Sequence, residues 1–293
     1  LKNFKLLDFD LTKGVIFEKG CVYLAELDET LNLPEYIDGV ANAKSSIGRL
    51  DILTRLITNY GTEFDRIQKG YSGKLYVEVS PKSFPILVKS GQKLNQIRLR
   101  IGKTILNDFE LRDLTKKISI VNQNAIIDNG LSFSVDLSEN KNLIGYKAKS
   151  QTKIINLEKL NHYDVFDFWE PLSTHNDSLI LDPGAFYILV SKEEVYIPPY
   201  YAAEMTPYIP MVGEFRVHYA GFFDPGFGKN TNNNGSKGVL EVRCHETPFN
   251  LNHGQSVGRL VFEKMLEKPD LLYGEKINSN YQGQKLKLSK HFK

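Results

Sequence analysis

The sequence predicts an all-β fold of two tandem barrel-like or jelly-roll lobes with few short helices. Three observations support this prediction: an internal repeat, short apolar runs separated by Gly and Pro, and a composition rich in aromatic residues. The 15 Tyr and 17 Phe, against only 3 Met, favour strands over helical bundles. Many short strands with turn residues between them are typical of barrels and jelly rolls.

The second half of the chain repeats the first. Four residues recur in order at a constant offset of 164 positions: Gly20, Tyr23, Pro34 and Tyr36 recur as Gly184, Tyr187, Pro198 and Tyr200. A second block recurs at an offset of 163 positions and relates Glu78 to Glu241 and Gly91-Gln92 to Gly254-Gln255. Such regular spacing predicts two copies of one structural unit.

The repeated segments have the pattern of strands. The apolar runs 22–25 and 186–190 and the alternating runs 75–79 and 239–243 suit half-buried strands. Each Gly-Gln pair precedes a further strand, which predicts a hairpin turn there. One helix is expected around 108–118. We expect the lobes to span 1–150 and 151–293, divided after a polar stretch.

Composition excludes several classes of function. A net charge of +2 gives no broad basic field, so no nucleic-acid partner is expected. No apolar run approaches the roughly 18 residues that cross a bilayer, and no signal peptide is visible, so we expect a cytoplasmic protein without a membrane partner. The two cysteines, Cys21 and Cys244, are too few for a disulfide framework. They are also too far apart in sequence to form the Cys-x-x-Cys pair of the zinc nucleoside deaminases, so a zinc site of that kind is not expected.

Lys44-Ser-Ser-Ile-Gly-Arg49 concentrates two cations and two hydroxyls in six residues. Such a cluster can bind phosphate oxygens through charge-assisted hydrogen bonds and backbone N–H groups. The alternative is a plain helix N-cap made by Ser45 or Ser46, with the cations in solvent. On spacing alone, the N-cap is the simpler interpretation.

Carboxylates mark two further candidate positions. Glu78 and Glu241 each lie between apolar neighbours in a predicted strand, where burial raises the pKa of a carboxyl group toward values useful to a general base. Either could instead be a structural Glu paired with an Arg or with backbone. Asp224-Pro-Gly-Phe-Gly is a turn signal that could also offer one carboxylate to a sugar hydroxyl.

The C-terminal segment from Tyr273 through Tyr281-Gln-Gly-Gln284 is polar and aromatic, without periodicity. It can be interpreted as a disordered end or as an arm that folds over a ligand.

Together these motifs resemble the dCTP deaminase branch of the dUTPase superfamily. The matching segments occur in the family's order and cover nearly the whole chain: Lys44–Arg49, Ala220-Gly-Phe-Phe-Asp-Pro-Gly-Phe227, Val239-Leu-Glu241, Gly254-Gln255 and Tyr281–Gln284. The resemblance implies two dUTPase-like distorted β-barrel lobes, like those of the two-lobed deaminases of some bacteria.

The two lobes have lost complementary motifs. The first keeps the Ser-Ser block but has Gln68-Lys-Gly70 in place of the Asp-Pro-Gly turn, and the second keeps the turn but has 206–211 in place of the Ser-Ser block. Single-lobe relatives form trimers with sites between subunits. We therefore expect each site to join a phosphate-binding first lobe to a base-binding second lobe, in a homo-oligomer. Asn280 stands where those relatives carry Lys; Lys276, Lys285 or Lys287 could compensate.

The resemblance implies hydrolytic deamination of dCTP to dUTP and ammonia without a catalytic metal, supplying dUTP for dTMP synthesis. Glu241 would be the general base, with Ser45 and Arg49 orienting water, and Glu78 would be the alternative base. Mg²⁺ would arrive on the triphosphate of the substrate. The implied substrate-binding residues are Lys44, Ser46, Arg66, Ala220, Asp224, Val239, Leu240, Tyr273, Asn280, Tyr281 and Gln284.

Two alternatives stay open at the level of sequence. One is a dUTP diphosphatase, or a bifunctional enzyme that takes dCTP on to dUMP. The other is a nucleotide-sensing regulator that binds without turnover. The retained Glu and Ser-Arg sets favour the deaminase over both, while the fold alone does not separate the three.

Overall fold

A computed structural model of the chain describes residues 5–138, 140, 142–207, 215–218, 221–229, 235–275 and 279–293, with the backbone alone at 207 and 215–218. The described residues are mostly β-strand, as the sequence predicts. Within these ranges, no helix combines the length and apolar character that a bilayer crossing requires.

The first half contains short strands, one helical turn and one longer helix. Its elements are β1 (Val15–Phe17), β2 (Tyr23–Asn32), β3 (Ile37–Ala43), α1 (Ser45–Gly48), β4 (Ile52–Thr58), β5 (Arg66–Ile67), β6 (Ser72–Pro81), β7 (Ile86–Val88), β8 (Asn95–Ile101), α2 (Asp108–Lys117), β9 (Leu131–Ser134) and β10 (Gly145–Ala148). A 3₁₀ turn, Leu11–Lys13, precedes β1.

The second half is built from strands and one further 3₁₀ turn, Val165–Asp167. Its strands are β11 (Ile155–Asn156), β12 (Trp169–Leu172), β13 (Ser178–Leu181), β14 (Phe186–Val195), β15 (Tyr201–Pro207), β16 (Phe215–His218), β17 (Phe222–Phe223), β18 (Ser236–Cys244), β19 (Phe249–Asn252) and β20 (Ser256–Lys264).

These strands form small sheets that wrap around each lobe. First-lobe sheets have the orders β2-β6-β4, β5-β3-β8 and β1-β7-β11. The second lobe has the orders β12-β10-β14-β18-β16, β17-β15-β20-β9 and β13-β19. The pairs are antiparallel except for β11 with β7. This arrangement agrees with the predicted jelly-roll-like lobes.

Strand register confirms the repeat. In the first lobe Leu24 lies opposite Glu78, and in the second Ile188 lies opposite Glu241. The register shifts between Glu26 and Thr30 in β2 and at the corresponding place in β14. A β-bulge adds twist to a strand at a defined position, so its recurrence shows that the backbone, and not only the motifs, was duplicated.

The Gly-Gln pairs form tight turns as predicted, but these turns are not hairpins. Gly91 and Gly254 both adopt positive φ, as a tight turn requires, but the strands on either side belong to different sheets. In each lobe the Gln side chain closes the turn: Gln92 Oε1 accepts the Lys89 N–H and Gln255 Oε1 accepts the Asn252 N–H, both at 3.0 Å. The turns are therefore corners between sheets.

The predicted helix is confirmed as α2. Asn107 caps it through a reciprocal capping box with Glu110, and Lys116 and Lys117 lie in its last turn. Leu111 and Leu114 are the buried face of α2, and both enter the core of the second lobe.

Strand pairing assigns residues before 150 to the second lobe. β9 pairs with β20, and β10 pairs with β14 and β12. A boundary at residue 150 therefore separates strands that share sheets, and the polar stretch that suggested it is a loop within the second lobe. Long-range pairing, which composition does not reveal, decides this assignment.

A second core joins the lobes. It packs Phe84 and Ile86 of the first lobe against Trp169, Phe186 and Phe292, and all five are buried. The aromatic rings meet edge to face, for example Phe84 with Trp169 at 5.2 Å between centroids. Burial of these large rings ties the C-terminus to both lobes and holds the cleft between them in shape.

Candidate active site

A cleft of about 520 Å³ opens between the two lobes. The first lobe contributes α1 with its flanking residues and one side of β8, and the second contributes β17, β18 and the C-terminal segment. Eleven of the predicted site residues line it: Lys44, Ser45, Ser46, Arg49, Asp224, Val239, Glu241, Tyr273, Asn280, Tyr281 and Gln284. The complementary motifs of the two lobes thus meet within one chain.

Four predicted residues lie elsewhere. Glu78 is paired with Arg55 in the first-lobe sheet. Arg66 is exposed beside Glu63 and faces a separate cavity of about 330 Å³. Leu240 is fully buried in the second-lobe core, pointing away from the cleft. Ala220 lies outside the described residues.

The turn α1 presents the Ser-Ser block to the cleft. Lys44 is the residue before the helix and makes no side-chain cap, so the N-cap interpretation of Ser45 and Ser46 does not hold. Ser46 is buried, and its carbonyl accepts the Ser289 hydroxyl at 2.7 Å. Because the turn is anchored through its backbone, the side chains of Lys44 and Ser45 are left available to a ligand.

Glu241 is the buried carboxylate of the cleft. It lies two residues after Val239 on β18, so the two share a face, while Leu240 between them faces the core. Its side chain is 6% exposed, and Oε1 is 4.0 Å from Arg49 Nε. Oε2 has no hydrogen-bond partner among the described residues. Burial raises the pKa of Glu241 well above its ordinary value, and the Arg49 charge only partly offsets this effect.

Arg49 connects the lobes across the cleft. Its Nη1 donates to the Lys287 carbonyl at 2.8 Å and its Nη2 donates to Gln284 Oε1 at 2.9 Å. The guanidinium stacks 3.8 Å from the centroid of the Tyr281 ring. Nε remains without a hydrogen bond in the described part of the chain. The planar cation is therefore held rigidly, with one donor left for a water or ligand near Glu241.

Residues 279–293 form a strap along the cleft, as the arm interpretation expects, while residues 276–278 lie outside the described residues. Gln284 Nε2 donates to the Lys237 carbonyl at 2.9 Å, which fixes the strap to β18. Tyr281 is 7% exposed and accepts the Lys290 N–H through its hydroxyl at 3.3 Å. Buried His291 and Phe292 anchor the far end.

The Asp224 turn depends on glycine. Gly226 has φ of 92°, and a Cβ there would stand 2.8 Å from Leu272, so only Gly fits this conformation and this packing. The Phe227 N–H donates to the Asp224 carbonyl at 3.0 Å and closes the turn. Asp224 itself is half exposed at the cleft wall, with Arg98 Nη2 3.8 Å from Oδ1. A carboxylate presented this way can accept hydrogen bonds from a ligand hydroxyl.

Sequence reasoning missed several cleft residues. Gln96 on β8, Phe222 on β17 and Lys290 in the strap all line the cleft. Arg98, behind the wall, packs its guanidinium 4.1 Å from the Phe222 ring centroid. Phe222 lies inside the motif 220–227 but was not named as a site residue, and Gln96, Arg98 and Lys290 belong to no recognisable motif. Only the alternation along β8, which puts Gln96 and Arg98 on one face, could have pointed to two of them.

Tyr273 closes the cleft beside the Asp224 turn. Burial raises the pKa of Tyr273 to about 12, so its hydroxyl stays protonated at neutral pH. Its ring packs against Phe227 at 5.7 Å between centroids. Among the residues that the structure describes, no three His, Cys, Asp or Glu side chains converge as a metal site.

Two family models match the chain end to end. Residues 1–103 match the 2′-deoxycytidine 5′-triphosphate deaminase (DCD) N-terminal domain, and residues 107–292 match the C-terminal domain of the same family. The chain belongs to the dCTP deaminase family. The two models meet between residues 103 and 107, where the structure also passes from first-lobe to second-lobe sheets.

Individual relatives agree with this assignment. A crystal structure of 2′-deoxycytidine 5′-triphosphate deaminase from Agrobacterium tumefaciens superposes with a TM-score of 0.86 at 52% identity, over 89% of this chain and 80% of that one. The chain is 30% identical over 95 residues to a "dCTP deaminase, dUMP-forming" from Corynebacterium glutamicum strain R, and 28% identical over 94 residues to one from Beutenbergia cavernae. These two matches cover 32% of this chain and about half of each relative, 47% and 46%.

Proposed function

We propose that the protein deaminates dCTP hydrolytically to dUTP and ammonia in the cleft between its lobes. The observation that carries this proposal is the buried Glu241, which has a raised pKa, a cationic neighbour and one oxygen without a partner among the described residues. A buried carboxyl group with a raised pKa can accept a proton from a bound water and return it. Family membership supplies the substrate class.

Glu241 is the proposed acid–base catalyst. Its carboxylate takes a proton from water, and the resulting hydroxide attacks C4 of cytosine, forming the C–O bond. The same carboxyl group passes that proton to N3 of the ring. It then takes the proton of the new C4 hydroxyl and delivers it to the amino group, which leaves as ammonia while the C4 carbonyl forms. One water is consumed, and dUTP and one ammonia are produced. Glu241 starts and ends in the same protonation state, so it acts as a true catalyst.

Arg49 and Ser45 assist this chemistry in the proposal. Negative charge develops on the attacking oxygen, and a fixed cation with a free N–H stabilises such charge most where water is excluded. Arg49 is held by three contacts and supplies that N–H. The Ser45 hydroxyl, on the facing turn, is proposed to orient the water. Neither group has to move during the reaction.

The remaining cleft residues are assigned to parts of the nucleotide. Asp224 is proposed to accept the sugar 3′-hydroxyl, and the Phe222 and Tyr273 rings to pack against sugar and base. Backbone groups at Val239 would read the pyrimidine edge. Lys44, Ser46 and Gln284 are assigned to the phosphates. This division follows the lobes: the cations flank α1 in the first lobe, and the Asp224 turn belongs to the second.

Mg²⁺ is proposed to enter with the triphosphate. The described cationic side of the cleft offers Lys44 and hydroxyls, which suit phosphate oxygens rather than a divalent cation. Mg²⁺ keeps several waters and is commonly held through substrate phosphates, so it would neutralise phosphate charge without a dedicated protein site. The residues of the chain would bind the resulting complex and orient its base toward Glu241.

One working site per chain is part of the proposal. Glu78, the repeat partner of Glu241, is neutralised by Arg55, while the Ser-Ser block of the same lobe faces Glu241 instead. The half-sites left over in each chain would then be inactive. Further assembly of chains into a homo-oligomer remains a prediction from the trimeric single-lobe relatives.

Incubation of the purified protein with dCTP and Mg²⁺ tests the proposal. Ammonia release and nucleotide products are followed together by enzymatic assay and ion-exchange chromatography. We expect equal amounts of ammonia and dUTP, with no reaction on the nucleoside deoxycytidine at the same concentration. Tight dCTP binding without ammonia would overturn the proposal in favour of a nucleotide-sensing regulator.

A bifunctional enzyme is the second candidate, because the two curated relatives described above are named as dUMP-forming. The same chromatogram separates the two: dUMP with diphosphate in place of dUTP identifies the bifunctional reaction. Supplying dUTP alone then shows whether the phosphate step proceeds without deamination.

A further inference from the structure

Lys290 is a cleft residue that neither the repeat nor the motifs explain. It lies on the C-terminal strap and lines the same cleft as Lys44 and Ser45. Its backbone N–H donates to the Tyr281 hydroxyl at 3.3 Å. Its neighbours are anchored too: Ser289 Oγ donates to the Ser46 carbonyl at 2.7 Å, and buried His291 contacts the Leu157 carbonyl at 3.3 Å. The strap therefore holds Lys290 in place next to α1.

Lys44 and Lys290 are like charges close enough to interact, and the Asp224 carboxylate acts on Lys44 only at longer range. Among the described residues, no carboxylate oxygen lies within 4.0 Å of either ammonium group, although ion pairs are frequent elsewhere in the chain. Burial, together with the charge of Lys44, lowers the pKa of Lys290. Two unpaired cations facing one cleft destabilise the empty protein, and an anionic ligand that bridges them removes the repulsion.

The other lysines of the strap do not reach the cleft. Lys287 Nζ donates to the Asn280 carbonyl at 2.6 Å, and its side chain is exposed. Lys285 is exposed as well. Asn280 lines the cleft with a neutral side chain. Of the cationic strap residues that the structure describes, Lys290 is therefore the one placed to contact a ligand there.

We propose that Lys290 binds the phosphate chain of the nucleotide together with Lys44, and so determines the preference for a triphosphate over a monophosphate. The inference rests on the proposed function in taking the cleft ligand to be a deoxycytidine nucleotide. Removal of one charge-assisted contact to phosphate reduces affinity by about 10- to 100-fold. The loss should fall on ligands with a long phosphate chain, because the base and sugar are assigned above to Val239, Asp224, Phe222 and Tyr273 rather than to Lys290.

Binding titrations of Lys290→Met test this inference. The probes are dCTP and dCMP, titrated by calorimetry into wild-type, Lys290→Met, Lys290→Arg and Lys285→Met proteins, each with Glu241→Gln added to prevent turnover. We expect Lys290→Met to bind dCTP about 10- to 100-fold more weakly and dCMP within about threefold of the reference. Lys290→Arg keeps the charge and should recover most of the dCTP affinity. Lys285→Met, exposed and outside the cleft, should match the reference.

Two results would overturn the inference. One is unchanged dCTP affinity in Lys290→Met. The other is an equal loss for dCTP and dCMP that Lys290→Arg does not recover, which would show that Lys290 only supports the strap. Turnover by the protein without any substitution decides the proposed function independently, so a failure of one statement is distinguishable from a failure of the other.

Discussion

The two lobes carry a glutamate at the same place in the same strand, yet its surroundings differ completely. Glu78 lies opposite Arg55 in register, and the Arg55 guanidinium pairs directly with its carboxylate. The register position opposite Glu241 is His218. A cation beside Glu241 comes instead from the other lobe, with Arg49 Nε 4.0 Å from Oε1.

This difference shows how a duplicated scaffold becomes asymmetric. Backbone register, bulges and turns are retained in both copies, so both glutamates are delivered to equivalent positions. An in-sheet Arg satisfies one carboxylate and makes it structural. The other is buried beside a cation from across a cleft and keeps an unpartnered oxygen in the described structure, which makes it available for chemistry. The neighbouring side chains, rather than the strand, separate the two roles.

The largest effect is expected from replacing the carboxylate of Glu241, and the same replacement at Glu78 is the comparison. Glu241→Gln keeps the shape of the side chain but cannot take up a proton, so ammonia release from dCTP should fall by at least about 10²- to 10⁴-fold. Glu78→Gln leaves the cleft unchanged and should stay within about threefold of wild type. Steady-state ammonia release under saturating dCTP measures both.

The reverse pattern would contradict the asymmetry between the lobes. If Glu78→Gln abolished turnover while Glu241→Gln retained it, catalysis would belong to the first lobe and to a different assembly of lobes. Unchanged urea midpoints and retained dCTP binding are needed to show that both variants are folded and able to bind substrate.

The next effect concerns a lysine pair related by the repeat. Lys237, on β18, is buried against Asp136, whereas its repeat partner Lys74 pairs with Glu26 in solvent. Lys237→Met leaves the buried Asp136 charge without that partner and should lower the free energy of unfolding by about 3–5 kcal/mol. Lys74→Met should not change the urea midpoint measurably, because exposed pairs are screened. Equal losses of unfolding free energy in Lys237→Met and Lys74→Met would contradict the prediction that burial makes the ion pair of the second lobe the more important one.

A pH effect should follow from the strap, which docks the second lobe on the first. Burial lowers the pKa of His291 from 6.5 to about 4. The hydrogen bond with the Leu157 carbonyl opposes this shift, and the charge of Lys290 adds to it. Between these values the unfolded chain binds the proton and the folded chain does not. The contribution of His291 to stability should therefore fall as the pH drops from 6.5 to 4, by up to about 3 kcal/mol, while the raised pKa of Asp65, about 6, acts in the opposite direction.

Urea unfolding at several pH values from 4 to 7 measures this slope. His291→Asn removes the titrating group and should flatten the profile over that window. The matched control is His162→Asn, since His162 is exposed, and this variant should keep the wild-type slope. A His291→Asn profile as steep as that of wild type would assign the pH dependence to other groups.

Local and periodic features were predictable from the sequence, and long-range pairing was not. The repeat and the helix at α2 follow from spacing and periodicity. The meeting of Lys44–Arg49 with Glu241 is an expectation of the family resemblance and of the complementary loss of motifs in the two lobes. The lobe boundary and the corner role of the Gly-Gln turns depend on which sheet each strand joins. Neither Gln96 nor Lys290 belongs to a motif, and only the packing of β8 and the strap brings them to the cleft.

The smallest changes in unfolding free energy are expected at the Gly-Gln turns, which have the same structure in both lobes. Gln92 and Gln255 each accept a backbone N–H three residues earlier at 3.0 Å, closing the same corner. Gln92→Ala and Gln255→Ala each remove one such hydrogen bond and should each cost about 0.5–1.5 kcal/mol of unfolding free energy. Since the corners lie in different lobes and share no contact of this kind, the double variant should equal the sum of the two. A large loss of unfolding free energy in Gln255→Ala alone would mean that the second lobe depends on this turn more than the first lobe does. The asymmetry between the lobes would then extend from the side chains of the cleft to the backbone scaffold.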